Sequence, residues 1–368
     1  MSIETYERDA ERGAVRDRVV ERVVDRHFDP RWGSLYWLER ERELGIDARR
    51  DLRSFEDLRI LGPMPAEALA RRSVWDFVPK SLQEDLASLI LAETGGTLGR
   101  PRRTVFHRDD FHAAFVAPMV AAVEVSGLIP RRARWLWIGP SGPHAIGKAA
   151  REVCRALGAP DPFSVDFDPR WYKAQAEDSI GRKLYMRHVI NQALDVLEAE
   201  PVEVIFSTPP VVAELGSRLG EEARSRVSAI HLGGLPARGA ADALERFFHQ
   251  ASVLSGYGNS LFGVCPQVEA GDLQSPVYHP HGHRLQVEIV PLDAPASDPP
   301  RDQVAHGERG RVVVTRLDAS CLIPRLVERD TAVRLPGRPD LAVRGFDHDA
   351  LGDPRPAEDV PAERMGIY

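Results

Sequence analysis

The run Arg134-Trp135-Leu136-Trp137-Ile138-Gly139 decides the architecture. It is short, apolar from Trp135 onward and closed by a glycine, as a strand buried inside a sheet requires. A helical stretch at 145–157 follows and is ended by Gly158-Ala159-Pro160. The same alternation then repeats: a helix at 181–198, a strand at Val202-Glu203-Val204-Ile205-Phe206-Ser207, and a helix at 211–219. A strand at Val227-Ser228-Ala229-Ile230-His231-Leu232, a helix at 240–250 and a strand at Ala251-Ser252-Val253-Leu254-Ser255-Gly256 complete it. Strand and helix alternating at this interval predict βαβ units on a mainly parallel sheet, so the fold class is α/β. Ligands of such sheets sit at the carboxyl ends of the strands.

Working outward, a long helix is expected at 108–126. Upstream, Val15, Val19, Val20, Val23 and Val24 fall at helical spacing within 8–27, and 34–44 forms a second helix stopped by Gly45. Ser54-Phe55-Glu56-Asp57-Leu58 starts a third short turn with a serine cap, giving an N-terminal helical collar. Downstream, Leu285-Gln286-Val287-Glu288-Ile289-Val290 and Gly310-Arg311-Val312-Val313-Val314-Thr315 alternate in period two around a proline-rich loop, so a small antiparallel β subdomain is expected. The boundaries read as a helical region at 1–80, an α/β core at 81–265, a β subdomain at 266–337 and a short tail at 338–368.

Composition narrows the function classes. The 368 residues carry 48 basic and 55 acidic side chains, a net charge of −7, with no basic stripe, so no nucleic-acid partner is expected. Cys154, Cys265 and Cys321 are odd in number and far apart, which argues against a disulfide framework and a paired zinc module and favours the reducing cytoplasm. The charged N-terminus and the lack of any run of 18 apolar residues predict neither a signal peptide nor a membrane span.

The richest chemistry lies in Glu93-Thr94-Gly95-Gly96-Thr97-Leu98-Gly99-Arg100-Pro101-Arg102-Arg103. Its amides and hydroxyls can close around phosphate oxygens while the arginines neutralise them. A plain solvated loop has the same composition. Glu93 would repel polyphosphate unless a cation stands between. Tyr257-Gly258-Asn259-Ser260-Leu261 ends a strand, and Ile230-His231-Leu232-Gly233-Gly234-Leu235-Pro236 ends another; each also suits an ordinary turn. Asp330, between Arg329 and Arg334, would ordinarily pair with an arginine at the surface. Tyr278-His279-Pro280-His281-Gly282-His283 offers three imidazoles, and two of them with Cys265 or Asp272 suit zinc. Proline and glycine break that geometry, so an exposed turn is expected and no metal site is assigned.

Taken in order, these stretches resemble the adenylate-forming superfamily of acyl-CoA synthetases, luciferases and peptide-synthetase adenylation domains. Gly95-Gly96-Thr97-Leu98-Gly99-Arg100-Pro101-Arg102 resembles its phosphate loop, with Arg102 replacing lysine. Tyr257-Gly258-Asn259-Ser260 resembles its adenine-stacking segment, but Leu261 stands where a magnesium-holding glutamate is usual. Gly307-Glu308-Arg309-Gly310-Arg311-Val312-Val313-Val314-Thr315 resembles a strand of the superfamily, and the arginine-rich stretch around Asp330 resembles the phenylacetate:CoA ligase branch, as does the opening from Phe28-Asp29-Pro30 to Leu58.

The resemblance implies the large N-terminal domain of that fold, ATP and Mg2+ as cofactors, and activation of an aromatic or hydrophobic carboxylic acid as its acyl adenylate. By the same resemblance Thr94, Gly95, Gly96, Thr97, Gly99 and Arg102 would hold polyphosphate, and Gly233, Gly234, Leu235, Tyr257, Gly258 and Asn259 adenine. Ser260 would contact the α-phosphate, Asp330 with Arg329 the ribose, and Thr97 and Ser260 would be catalytic. Trp137, Gly139, His144, Gly234 and Gly258 would line the acid pocket. The lysine-bearing C-terminal domain of the family has no counterpart within 338–368, and no lysine follows Lys183. That truncation is similar to short proteins of phenazine antibiotic pathways, with a downstream reductase or other acyl acceptor as partner. A non-catalytic nucleotide-binding protein and a stand-alone amide- or thioester-forming ligase remain alternatives, and the residues leave oligomeric state, a homodimer included, open.

Overall fold

The computed structural model describes residues 3–94, 100–234, 238–295 and 297–357. Gly95, Gly96, Thr97, Gly99 and Leu235, all expected in the nucleotide site, lie outside the described residues. Among the described residues thirteen strands, β1 to β13, follow one another in chain order. β1 (Leu89–Glu93) and β2 (Arg103–His107) form an antiparallel hairpin. β3 (Trp135–Gly139), β4 (Phe163–Asp166), β5 (Val204–Ser207), β6 (Ala229–Gly233), β7 (Ser252–Asn259) and β8 (Gly263–Pro266) form a sheet of order β4-β3-β5-β6-β7-β8, parallel except for β8. β9 (Val277–Tyr278), β10 (Leu285–Val290), β11 (Arg309–Leu317), β12 (Leu322–Leu335) and β13 (Ala350–Pro356) form an antiparallel sheet of order β10-β11-β12-β13-β9.

Alternating side chains of the parallel sheet enter two different cores. Leu136, Ile138, Ile205, Ile230 and Leu232 face helices Ile180–Ala199, Pro209–Arg218 and Arg238–Phe247 through Val189, Ile190, Val211, Leu215 and Leu244. Trp135, Trp137, Phe206 and Leu254 face Phe111, Phe115, Met119, Ala149 and Val153. Burial on both faces is what a parallel sheet between helix layers demands. The expected long helix at 108–126 is α-helical at Arg108–Phe111, π-helical at His112–Val116 and α-helical again at Ala117–Ser126. Pro118 supplies the reason, since its ring would strike the carbonyl of Ala114 in an unbroken α-helix. The helical collar is present as Ile3–His27, Leu35–Leu44 and the tight turn Glu56–Leu61, packed against the antiparallel sheet through Val20, Val24, Trp37, Leu58, Val312 and Val314.

Two expectations change. The stretch after 338 is not only a tail, because β13 pairs with β12 and β9 and completes the antiparallel sheet. The histidine run is not an exposed turn: His279 is buried, and His281 and His283 are half-buried. Among the described residues no helix is long and apolar enough to cross a membrane.

One buried ionic node locks the parts together. Arg316, fully buried at the end of β11, donates from Nε to Asp318 Oδ2 at 2.5 Å, and Arg284 grips the same carboxylate at 2.6 and 2.7 Å. The remaining Arg316 nitrogens donate to Thr104 Oγ1, Val105 O and Leu261 O, each at 2.7 Å, with the guanidinium 3.7 Å from the Phe106 ring centroid. Arg284 also donates to Phe262 O at 2.7 Å, and His27 Nε2 donates to Asp318 O at 3.0 Å. Hairpin β1–β2, the turn after β7, strand β11 and the first helix therefore share one hydrogen-bonded centre. Such a buried charge cluster is tolerable only because every strong donor and acceptor is met.

Candidate nucleotide site

Pairing between β6 and β7 sets Gly233 opposite Gly256, so the ends of these strands lie side by side. Gly234 follows with φ +89°, a conformation that glycine adopts without strain. One residue beyond Gly256, Tyr257 is buried and its hydroxyl donates to Asp330 Oδ2 on β12 at 3.0 Å. Asn259 at the end of β7 donates to Glu328 Oε1 at 3.4 Å. Two motif stretches about seventy positions apart in sequence thus meet through side-chain hydrogen bonds.

The hairpin supplies a third edge. Thr94 N donates to Arg102 O at 2.9 Å and Arg102 N donates to Thr94 Oγ1 at 3.0 Å, which closes the base of the glycine loop. The Arg102 guanidinium is half-buried; burial lowers its pKa while Glu328 opposes that and Arg329 adds to it, so these three charges are electrostatic neighbours. Burial raises the Glu328 carboxyl and neighbouring Asp330 raises it further, against Arg102 and Asn259. Burial also raises Asp330, against the Tyr257 hydroxyl and Arg329. Tyr257 is held protonated well above the ordinary phenol value by burial and by the Asp330 and Glu328 charges. Asp330 therefore pairs with a tyrosine rather than with Arg334, which goes to Asp349 at 2.7 Å.

Glu93 has the cations its position calls for. Arg103 and Arg170 reach its two oxygens at 2.9 and 2.8 Å, and Arg170 also donates to Thr94 O at 3.1 Å. Arg170 and Lys173 sit on the short helix Pro169–Ala174, capped by Asp168, and burial lowers the Lys173 amine to about 8. Sequence reading missed this helix and Glu328. The cap-proline pair Asp168-Pro169 was the available signal for the helix; nothing local marks Glu328.

The proposed acid-pocket residues divide. Glu93 N donates to Pro143 O at 2.9 Å, so the loop after β3 lies against the base of the glycine loop. His144, buried at the start of helix Ala145–Ala156, is lowered to about 4 by burial and by Arg170, hence neutral near pH 7. Trp137 is buried in the sheet core, its ring 4.7 Å from Phe206, which in turn lies 4.4 Å from His231. Gly139 is required by that tryptophan, because a Cβ there would come within 2.3 Å of its ring. Ser260 is half-buried in the turn after β7. Leu261 is fully buried in the collar-side core, and its carbonyl accepts from Arg316, so its side chain serves packing.

Gly258 marks the tightest backbone approach of the site. A Cβ there would lie 2.0 Å from Gly263 O and 2.9 Å from Val264 Cα. Gly258→Ala is therefore expected to pry β7 from β8 and to lower stability by about 1–3 kcal/mol, the range for overpacking. Urea melts of the two proteins check this; an unshifted midpoint would contradict it.

No protein-family model matches the chain, and no curated protein matches it in sequence. Its likeness to solved structures is clear. A 2-hydroxyisobutyryl-CoA ligase, in an open conformation with 2-HIB-AMP and CoA, superposes with a TM-score of 0.65 at 17% identity, over 98% of this chain and 78% of that one. The same ligase in its postadenylation state gives a TM-score of 0.66 at 18% identity, over 98% and 71%. At that identity the likeness is one of fold, the fold of adenylate-forming enzymes.

Proposed function

We propose that this chain binds ATP in the cleft between β6, β7 and β12 and joins it to a carboxylic acid as an acyl adenylate, releasing pyrophosphate. The observation that carries the reading is the Tyr257–Asp330 hydrogen bond, which unites an adenine-type turn with a ribose-type carboxylate beside Arg102. The fold shared with a ligase bound to an acyl-AMP supports it.

In this reading Asp330 accepts hydrogen bonds from both ribose hydroxyls, as a carboxylate can. Tyr257 orders that carboxylate and offers its ring to the base, which glycines 233 and 234 let approach. Arg102 and the loop amides stabilise charge on the departing pyrophosphate. The acid's carboxylate attacks the α-phosphorus, with Ser260 beside that phosphate, as the resemblance to the superfamily implies. Magnesium would accompany ATP and offset charge on its phosphates. Leu261 cannot hold it, whereas Glu328 fits, because burial and the neighbouring Asp330 charge raise its pKa and a cation would relieve that repulsion. The neutral His144 beside the loop after β3 suits contact with an aromatic or hydrophobic acid. The phenylacetate:CoA ligase-like motifs and the phenazine-pathway resemblance make an aromatic acid of secondary metabolism our substrate class, handed on to a reductase or another acyl acceptor.

ATP–pyrophosphate exchange with a panel of aromatic acids tests the proposal. Exchange dependent on one acid is the expected result. Tight ATP binding without exchange for any acid would leave a binding protein. AMP and a conjugate formed by the chain alone, with coenzyme A or amines present, would instead reveal a complete ligase.

A further inference from the structure

We infer that His283, Asp347 and His348 form a zinc site that clamps two loops of the antiparallel sheet. His283 lies just before β10, and Asp347 and His348 lie just before β13, from segments more than sixty residues apart. One potential ligand atom from each residue lies within 4.8 Å of those of the other two. The loops are already aligned by two hydrogen bonds: Gly282 N donates to Gly345 O at 2.9 Å, and the side-chain His348 Nε2 donates to Gly282 O at 2.7 Å. The His283 and His348 rings stand 5.6 Å apart at 75°, edge toward face.

Two atoms of the cluster ask for a partner. His283 Nδ1 and Asp347 Oδ1 are buried and have no hydrogen-bond partner. The Arg12 guanidinium, 3.3 Å from Asp347 Oδ2, holds the other carboxylate oxygen. Leaving a buried acceptor unmet is unfavourable, and a single cation bound between the loops would meet both. Two imidazoles and one carboxylate form a ligand set of the kind zinc takes at Zn–N ~2.0–2.1 Å, with water in the fourth position. Magnesium and calcium prefer all-oxygen shells, so this set selects against them. The consequence is mechanical: the metal would fasten the segment that carries β13 to the loop that starts β10.

The test uses the whole chain, stripped with chelator and titrated with Zn2+, then with Co2+. One saturable equivalent of zinc, a raised Tm and a visible Co2+ absorption band typical of four-coordinate sites are expected. His283→Asn and Asp347→Asn should each weaken zinc binding by ~100-fold or more, above the 10–100-fold span for outer-shell changes. His188→Asn, at an exposed imidazole on the helix Ile180–Ala199, should leave it unchanged. Circular dichroism of the metal-free variants separates misfolding from lost ligation. No saturable equivalent, or binding indifferent to both variants in folded protein, would overturn the proposal. Neither result bears on ATP use, because none of these residues touches the nucleotide cleft as described.

Discussion

Asp318→Asn is expected to destabilise the protein by about 3–5 kcal/mol, the range for breaking a buried ion pair from one side. The carboxylate is 2% exposed and receives both Arg284 and Arg316. Its amide replacement would strip both guanidiniums of the carboxylate they grip, leaving only the more distant Asp110 charge, and would set an NH2 facing one of them. Burial by itself would raise the Asp318 pKa, but the Arg284 and Arg316 charges and hydrogen bonds outweigh it and hold the group below the ordinary value. A carboxyl depressed on folding contributes stability above its unfolded pKa, ~3.9, and that contribution disappears as pH falls through the folded value. The gap between wild type and variant in urea midpoint should therefore be full at pH 7 and should close only below about pH 4. Equal midpoints at pH 7 would show that the guanidiniums find other partners. Glu67→Gln, in an exposed i,i+4 pair with Arg71, is the control and should be near neutral.

That node also shows where sequence reading reaches its limit. Strands β3, β5, β6 and β7 were legible because each is a short apolar run between helices whose period differs from theirs. The polarity of Arg316 hid its role, since an arginine in an alternating strand reads as an outward-facing residue. Only the third dimension brings Thr104, Leu261 and Asp318 around it. The π-helical segment was similarly hidden: Pro118 sits inside an otherwise good helical pattern, and the sequence does not say whether the chain breaks or widens there. β13 was missed because its run Ala350-Leu351-Gly352-Asp353-Pro354-Arg355-Pro356 carries two prolines, which the chain accommodates on a short strand opposite β9 and the end of β12.

The candidate site was legible where chemistry is local. Thr94 and Arg102 frame a loop whose glycines announce it, and Tyr257 and Asp330 stand in recognisable contexts. Glu328 was not, because its meaning depends on Asn259 and Arg102, which lie across the cleft. The histidine run was misread for a related reason. Its fate is decided by Phe346, Asp347 and His348, which cover it from a segment sequence reading treated as tail.

Asp330→Ala is expected to weaken nucleotide binding by about 100-fold or more while leaving the fold intact. Two charge-assisted hydrogen bonds from ribose hydroxyls contribute roughly 1.5–3 kcal/mol each, and the lower figure for both already exceeds a hundredfold. Stability should move the other way. Asp330 and Glu328 each have a raised pKa in the folded protein, with burial the largest cause. A carboxyl raised on folding detracts from stability above its unfolded pKa, and that penalty fades only as pH falls below it. Removing Asp330 thus relieves Glu328 at pH 7, and the melting temperature should hold or rise. Asp330→Asn keeps one acceptor and should bind about tenfold more weakly than wild type, and Tyr257→Phe, which removes only the 3.0 Å bond that orients the carboxylate, should resemble it. Calorimetric titration with ATP beside thermal melts reads both effects. A variant that binds ATP normally would remove Asp330 from the site, and one that loses binding only because it unfolds would make it a packing residue. Opposite signs for affinity and stability are the signature of a carboxylate kept for its ligand, at the expense of the fold around it.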